Sequence, residues 1–338
     1  MINILLDCYG LDKGYTEVIK AGVNKVNEDK DIFITFLGRE DEIKEELNKY
    51  KYNLSQVKII HAPTEINCNE VPTRAIKEKV DSSLVVGLNE LKNGYDALIS
   101  GGSTGAILTG GFLKIGRIKG VSRPALCPIL PTLNGGKVML MDCGANVDCK
   151  PINLCHFALM SNIYMKEIMG LKYPRIALLN NGIEENKGNE LTKETYALLK
   201  NMPINFIGNI EAKDFLSGKA DVVIADGFAG NVLLKGSEGA TKLVLKKLKA
   251  EIKSSFMAKI GAIFMKKIFK NIKNELDVDS QGGSTLLGLK KILIKVHGSS
   301  SYRAIEVAIG QAKELKLNGV LEKFENEFSK TVEVGDNE

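Results

Sequence analysis

The stretch ADVVIADGFAGNVLLK, Ala220 to Lys235, opens as an apolar run, breaks at Asp226 into Gly-Phe-Ala-Gly-Asn and resumes with helical spacing. An unbroken Val/Ile run of this kind reads as a strand buried on both faces, as in a parallel sheet. Where such a strand hands over to a helix, the unpaired N–H groups of the first helical turn converge and attract anions. An acid, two glycines and an amide at that handover raise the question of which anion is held there, and what is done with it.

The pattern repeats in both directions from this point. Runs at 2–7, 31–38, 57–62, 96–102, 137–142, 174–180 and 204–209 read as further strands, and 73–93, 104–116, 151–170 and 188–200 as helices. Strands alternating with amphipathic helices predict an α/β fold with a mostly parallel sheet covered on both faces. Five more polar, glycine-containing junctions follow or precede these elements: DCYGLDKG (7–14), SGGSTGA (100–106), DCGANVDCKP (142–151), NNGIEENKGNEL (180–191) and VHGSSS (296–301). Ligands of open α/β sheets bind outside the carboxyl ends of the strands, so six such ends on one edge of one sheet would line one crevice. No repeat and no Pro/Ser-rich linker divides the chain, so one domain is expected over 1–331, with VEVGDNE (332–338) as a frayed tail.

Composition narrows the chemistry. The 338 residues are 44% hydrophobic and 26% charged, enough for a sizeable core in a soluble chain. No apolar run approaches the roughly 18–20 residues of a membrane span. The opening MINILLDC reads as a first strand rather than a signal peptide. The six cysteines form no Cys-x-x-Cys pair and lack histidines at zinc spacing, so a reduced, cytoplasmic chain without metal is expected. Neither Gly-x4-Gly-Lys-[Ser/Thr] nor a Gly-x-Gly-x-x-Gly after the first strand is present, and no cofactor is expected. The net charge of +5 is uneven. Between Lys235 and Lys273 stand eleven lysines and two glutamates, a local +9. Such a block suits a docking surface for something acidic better than general nucleic-acid binding.

Individual residues carry different weights. GGSTG (101–105) satisfies the Gly-x-Ser-x-Gly of a nucleophile elbow, between a strand and a helix, with His156 and His297 downstream. No oxyanion segment precedes it, and short matches in Gly-rich loops are frequent. Lys187, where a strand–loop opens into a helix, is by default a solvated charge; aimed into an anion-lined crevice it would neutralise a phosphate or an oxyanion. Asp142, Asn146 and Asp148 serve equally as caps and turn formers, and Pro151 suits a first helical position. Of the three histidines, only His297 lies at a strand end.

Taken together, DGFAGNVLLK (226–235), DCGANVDCKPINL (142–154), KGNELTKETY (187–196), INFIGNIEAKD (204–214) and LIKVHGSS (293–300) resemble the phosphate acyltransferases of fatty-acid and phospholipid synthesis, the PlsX family. The resemblance runs from about Met1 to about Gln311, with the motifs in the same order. It implies a Rossmann-like α/β/α sandwich similar to phosphotransacetylases and isocitrate dehydrogenases, and a homodimer. The implied reaction joins inorganic phosphate to the acyl group of acyl-[acyl carrier protein]. Acyl phosphate and free carrier are released, and a membrane glycerol-3-phosphate acyltransferase consumes the product. Phosphate is then the nucleophile and a thioester supplies the leaving group, so positioning and oxyanion stabilisation suffice. In that chemistry Lys187 supplies charge and Asn231 a neutral donor. Gly10, Thr104, Gly105, Asn146, Gly227, Gly230 and His297 are expected around phosphate and substrate, with the N–H groups near Gly227–Gly230 as the cradle. Asp142, Asp148 and Asp226 are expected to orient lysines and loops, and His297 to orient a neighbour or protonate the leaving thiolate.

The first loop departs from the family's usual Asp-Ala-Met-Gly-Gly-Asp-His-Ala-Pro: here Leu11 replaces a Gly, Lys13 the His and Tyr15 the Pro. Ser103 stands where the family has Asn, and the basic run before the Ser-Ser pair has thinned to KEKV (77–80). Two other readings therefore stay open. One is a short-chain phosphotransacetylase or a hydrolase acting through Ser103; the other is a non-catalytic membrane-docked scaffold. Finally, SSFMAKIGAIFMKKIFKNIK (254–273) aligns Met257, Ile260, Phe264, Ile268 and Ile272 on one helical seam, widened by Phe256 and Ile263 and backed by lysines. A core-packed or dimer-forming helix fits this pattern, and so does an interfacial helix drawn to an anionic membrane. In the latter, Met257, Ile260, Ile263 and Phe264 would touch lipid, in one helix or in a projecting pair split at Gly261.

Overall fold

The computed structural model describes residues 1–275 and 278–335. Its strands are β1 (Ile2–Asp7), β2 (Ile32–Gly38), β3 (Val57–His61), β4 (Ala97–Ser100), β5 (Ala125–Cys127), β6 (Ile129–Pro131), β7 (Lys137–Met141), β8 (Ile176–Asn180), β9 (Phe206–Glu211), β10 (Val222–Ile224), β11 (Ser284–Leu287) and β12 (Ile292–Lys295). The helices are α1 (Tyr15–Glu28), α2 (Glu40–Leu47), α3 (Pro72–Glu78), α4 (Ser83–Lys92), α5 (Thr104–Gly110), α6 (Pro151–Glu167), α7 (Glu190–Leu199), α8 (Gly227–Ser254), α9 (Phe256–Phe264), α10 (Lys266–Glu275), α11 (Tyr302–Leu317) and α12 (Val320–Gly335).

The strands form two sheets. One has the order β3-β2-β1-β4-β12-β11-β5, the other β6-β7-β10-β8-β9. Pairing is parallel except at β11, which runs against both β12 and β5, and at β6, which runs against β7. The α/β class and mostly parallel pairing are as expected, but the six polar strand ends do not share one sheet. Those after β1, β4 and β12 belong to the first sheet, and those after β7, β8 and β10 to the second. Segment 125–131 crosses from one sheet to the other at Pro128, whose missing N–H breaks the ladder while its carbonyl accepts from Leu140 N–H (3.1 Å).

One apolar cluster runs through both sheets, from Ile4 and Phe36 through Phe157 and Tyr164 to Ile224. Helix α6, apolar on all sides, is enclosed by its neighbours rather than amphipathic, with Phe157, Met160, Tyr164 and Met165 buried. The helix expected over 73–93 is two helices, because Ser82 caps α4 by accepting from Val85 N–H and ends the preceding turn. The stretch expected as a frayed tail is entered by α12, which runs to Gly335; residues 336–338 lie outside the described residues.

Helices α8 to α10 form a basic arm. Beyond its first two turns α8 is largely exposed, and α9 buries no residue. The seam does not form one helix, and Gly261 does not split it. The breaks fall at Ser255, which caps α9 by accepting from Ala258 N–H, and at Met265, whereas Gly261 lies inside α9. Phe264 is 85% exposed, Met257 73% and Ile263 70%, while Ile260, at 38%, is more sheltered. Packing of this seam on the core of its own chain is therefore excluded. Lys273, expected on the basic side, has its side chain outside the described residues. Among the described residues no helix is long and apolar enough to cross a membrane.

Candidate active site

Loops of the first sheet converge by backbone contact. At the end of β1, Gly10 adopts φ +86° and lies so close to the Gly101–Gly102 turn that a Cβ would stand 2.4 Å from Gly102 Cα. Leu11, in the family's glycine position, is buried against Gly101, and Asp12 N–H reaches the Gly298 carbonyl (2.8 Å). Asp7 is buried and accepts from Ser100 Oγ (2.6 Å) and Tyr9 N–H (3.1 Å); burial pushes its carboxyl up, against the pull of these bonds. The exposed Lys13 takes the place of the family's histidine here. Gly105 is pressed against Pro72, so it and Gly10 are close-approach positions rather than parts of an open phosphate cradle; Thr104 is exposed.

A second knot forms where β7 and β10 end. Asp142 is fully buried, and its carboxylate accepts from the N–H groups of Leu126, Cys143, Ala145 and Asn146 and from Asn146 Nδ2, at 2.6–3.2 Å. Desolvation raises its pKa, opposed by these donors. Asn146 Nδ2 also donates to the Pro124 carbonyl, so its amide N–H groups are spent on the fold and are not free for phosphate. The first turn of α8 sits directly on this knot. Gly227 N–H donates to the Asn146 carbonyl, Ala229 N–H to Asp226 Oδ1, and Gly230 N–H to the Asp226 carbonyl. The expected cradle is therefore not made by Gly227 and Gly230, whose N–H groups are already committed. Asp142 and Asp226 accept from loop and helix N–H groups, and among the described residues neither pairs with a lysine. Asp148 is exposed and has no hydrogen-bonding or ionic partner among the described residues.

Helix α8 separates two of the expected site residues. Phe228, Ala229, Val232 and Leu233 face the loop after β8, lining with Asn180, Asn189 and Leu179 a cleft of about 550 Å³. Lys187 belongs to that loop, exposed, its side chain folded over Gly182. Asn231 lies on the opposite side of the helix. Its half-buried amide packs on Gly144 and has no protein hydrogen bond among the described residues. One and two turns along the same face, Leu234 and Glu238 line a smaller cavity of about 90 Å³ together with Lys295, His297 and the Gly282–Ser284 backbone. The α8 face that carries Asn231 thus borders the cavity of His297 and Lys295, while the loop that carries Lys187 borders the other cleft through Gly188 and Asn189.

Lys295 was not singled out by sequence reasoning. A lysine closing the apolar run Ile292–Ile294 at the carboxyl end of a parallel strand was the available signal. It is half-buried, and its Nζ donates to the carbonyls of Gly101 (3.1 Å) and Val296. Burial pushes its pKa down to about 8, against the opposing pull of Cys68, Asp7 and Asp12. His297 Nδ1 accepts from Ser299 N–H (3.2 Å) and lies 2.8 Å from Ser299 Oγ. Ser103 is buried at the start of α5, without a base among the described residues. His297 Nδ1 is held by Ser299, and His156 Nδ1 accepts from Ser122 N–H while its ring packs edge-on to Phe328. Among the described residues Ser103 is therefore not paired with a histidine.

Two mostly parallel sheets, joined where the chain crosses at Pro128 and again through α8–α10, define an α/β fold of the kind seen in phosphotransacetylases. The fold is similar to that of a phosphotransacetylase from Streptococcus pyogenes (TM-score 0.63, 16% identity, 93% of this chain and 94% of that one). It is also similar to EutD phosphotransacetylase from Staphylococcus aureus (TM-score 0.57, 15% identity, the same coverage). Residues 2–323 match the family described as "Fatty acid synthesis protein". The chain is 46% identical over 328 residues to the phosphate acyltransferase of Thermoanaerobacterium thermosaccharolyticum, covering 97% of both. With that of Clostridium novyi it is 45% identical over 326 residues, covering 96% of this chain and 98% of the relative. The chain belongs to the phosphate acyltransferase family.

Proposed function

We propose that this protein transfers the acyl group of acyl-[acyl carrier protein] to inorganic phosphate, releasing acyl phosphate and free carrier for phospholipid synthesis. The observation that carries this reading is the crevice lined by Lys295 and His297 on the α8 face that carries Asn231, which gathers polar and cationic groups. Such a site suits a reaction whose nucleophile is a substrate. Phosphate attacks the thioester carbonyl, and the protein holds the partners and stabilises the oxyanion. Asn231 is the neutral donor. Lys187 stands in the loop whose Gly188 and Asn189 line the larger and mostly apolar cleft, where it would meet the acyl substrate rather than the reacting phosphate.

The exposed apolar surface of α9 and α10, flanked by lysines, supports a cytoplasmic enzyme that docks reversibly on an anionic membrane and passes its product to a membrane glycerol-3-phosphate acyltransferase. A homodimer accompanies this reading. The deciding assay follows release of carrier thiol from long-chain acyl-[acyl carrier protein] with and without phosphate, and captures acyl phosphate with hydroxylamine. Phosphate-dependent release is expected. Turnover confined to short-chain acyl-coenzyme A would favour a phosphotransacetylase, phosphate-independent release a hydrolase, and no turnover a scaffold.

A further inference from the structure

Three adjacent strand ends place Asp7, Ser100 and Lys295 in a row. Ser100 of β4 pairs in register with Lys295 of β12, and its hydroxyl donates to Asp7 of β1. Residues in register project from the same face of a sheet, so Lys295 stands beside a buried carboxylate–hydroxyl pair. It is nevertheless not in an ion pair, because no carboxylate lies within 4.0 Å of Nζ among the described residues. The carbonyls of Gly101 and Val296 take two of its three N–H donors and leave one. The same side chain lines the cavity that α8 closes with Leu234 and Glu238, on the face that carries Asn231. The charged and titratable groups around it are Asp7, Asp12 and Cys68 from the first sheet's loops, His297 from its own loop and Glu238 from α8.

We propose that Lys295 is a catalytic residue of acyl transfer, holding the incoming phosphate as an ammonium and donating a proton to the departing sulfur. The proposal rests on the functional reading above. An oxygen of hydrogen phosphate attacks the thioester carbon, forming the C–O bond as the carbonyl pair moves onto oxygen. The tetrahedral intermediate collapses, the carbonyl re-forms, and the C–S bond breaks with its electron pair on sulfur. The Nζ proton passes to sulfur, giving the thiol, and the proton originally on hydrogen phosphate restores the ammonium. Acyl phosphate and thiol are the only products. An ordinary lysine, near 10.4, is a poor acid for a thiolate near 8.5, whereas the depressed value of about 8 matches donor to acceptor.

The test uses the full-length protein with long-chain acyl-[acyl carrier protein] and inorganic phosphate, from pH 6 to pH 10. The acting form is the ammonium, so wild-type kcat should hold at low pH and fall as pH rises through about 8. Lys295→Met should lower kcat by about 10²-fold or more and abolish that alkaline fall. Lys295→Arg should keep the KM for phosphate within about threefold while losing the fall, because a guanidinium stays charged throughout. A Lys295→Met protein with wild-type melting, near-normal kcat and the same alkaline fall overturns the proposal. If that variant does not fold, an active Lys295→Arg protein with an unchanged fall overturns it equally. A wild type without phosphate-dependent thiol release overturns the functional reading itself, and Lys295's role with it, a result that neither variant outcome resembles.

Discussion

Gly230, in the first turn of α8, lies over the backbone of Asp142: a Cβ on it would stand 2.0 Å from the Asp142 carbonyl oxygen. Gly227 is held as closely, where a Cβ would meet the Asn146 carbonyl oxygen at 2.6 Å. These contacts seat the helix on the end of β7 and set the position of Asn231 over Gly144. The question raised by the two glycines is answered by packing: they admit the helix to the acid's loop, and their N–H groups are already bonded within the protein.

Gly230→Ala should therefore destabilise the protein. Alanine gains up to about 1 kcal/mol of helix propensity over glycine. Overpacking against backbone, which cannot turn aside, costs typically 1–3 kcal/mol and outweighs it. The urea midpoint should fall with an unchanged slope. A midpoint equal to or above wild type would refute the close-contact argument.

Substitution should separate the two sides of α8. Asn231→Ala should lower kcat by about 10²-fold, the scale for losing an oxyanion donor. Lys187→Ala, which removes an exposed cation at the other cleft, should act mainly by raising KM for the acyl carrier substrate. Steady-state kinetics varying each substrate distinguish the two, and a large kcat effect at Lys187 would return it to the reacting centre.

Ser103→Ala should keep near-normal turnover, and Ser103→Asn should be tolerated, because no base pairs with this buried hydroxyl among the described residues. Covalent labelling of Ser103 by a fluorophosphonate, with parallel loss of activity, would reinstate it as a nucleophile.

The arm gives a prediction independent of catalysis. Wild type should bind vesicles containing anionic lipid, more weakly as salt screens the lysines. Replacing Ile260 and Phe264 with Glu should abolish sedimentation with vesicles and spare turnover on soluble substrate. A double variant that becomes monomeric or unfolds would instead assign the seam to a subunit interface.

How far the sequence carried varies along the chain. Strands such as β1, β7 and β10 were legible because a strand buried on both faces is a continuous apolar run, and Asp7, Asp142 and Asp226 mark the point where each run ends and the chain turns. Short elements were not. ALCPILP (125–131) holds two three-residue strands of different sheets, and apolarity alone cannot say which neighbour each one pairs with. Lys295 escaped for a related reason: within LIKVHGSS it reads as the solvated end of a strand, and only its burial beside Asp7 and Ser100 distinguishes it.

The sequence by itself determined the family, the α/β class and the junctions where chemistry could occur, because motifs and hydrophobic period are local properties of the chain. Only the tertiary structure decided how those junctions divide between two sheets, which glycines are spent on close packing and which polar groups remain free. Those outcomes depend on hydrogen bonds and steric contacts between residues far apart in sequence, such as Asn146 with Gly227 and Lys295 with Gly101. A donor's availability is settled by the acceptor that reaches it first, and that acceptor is chosen by the fold.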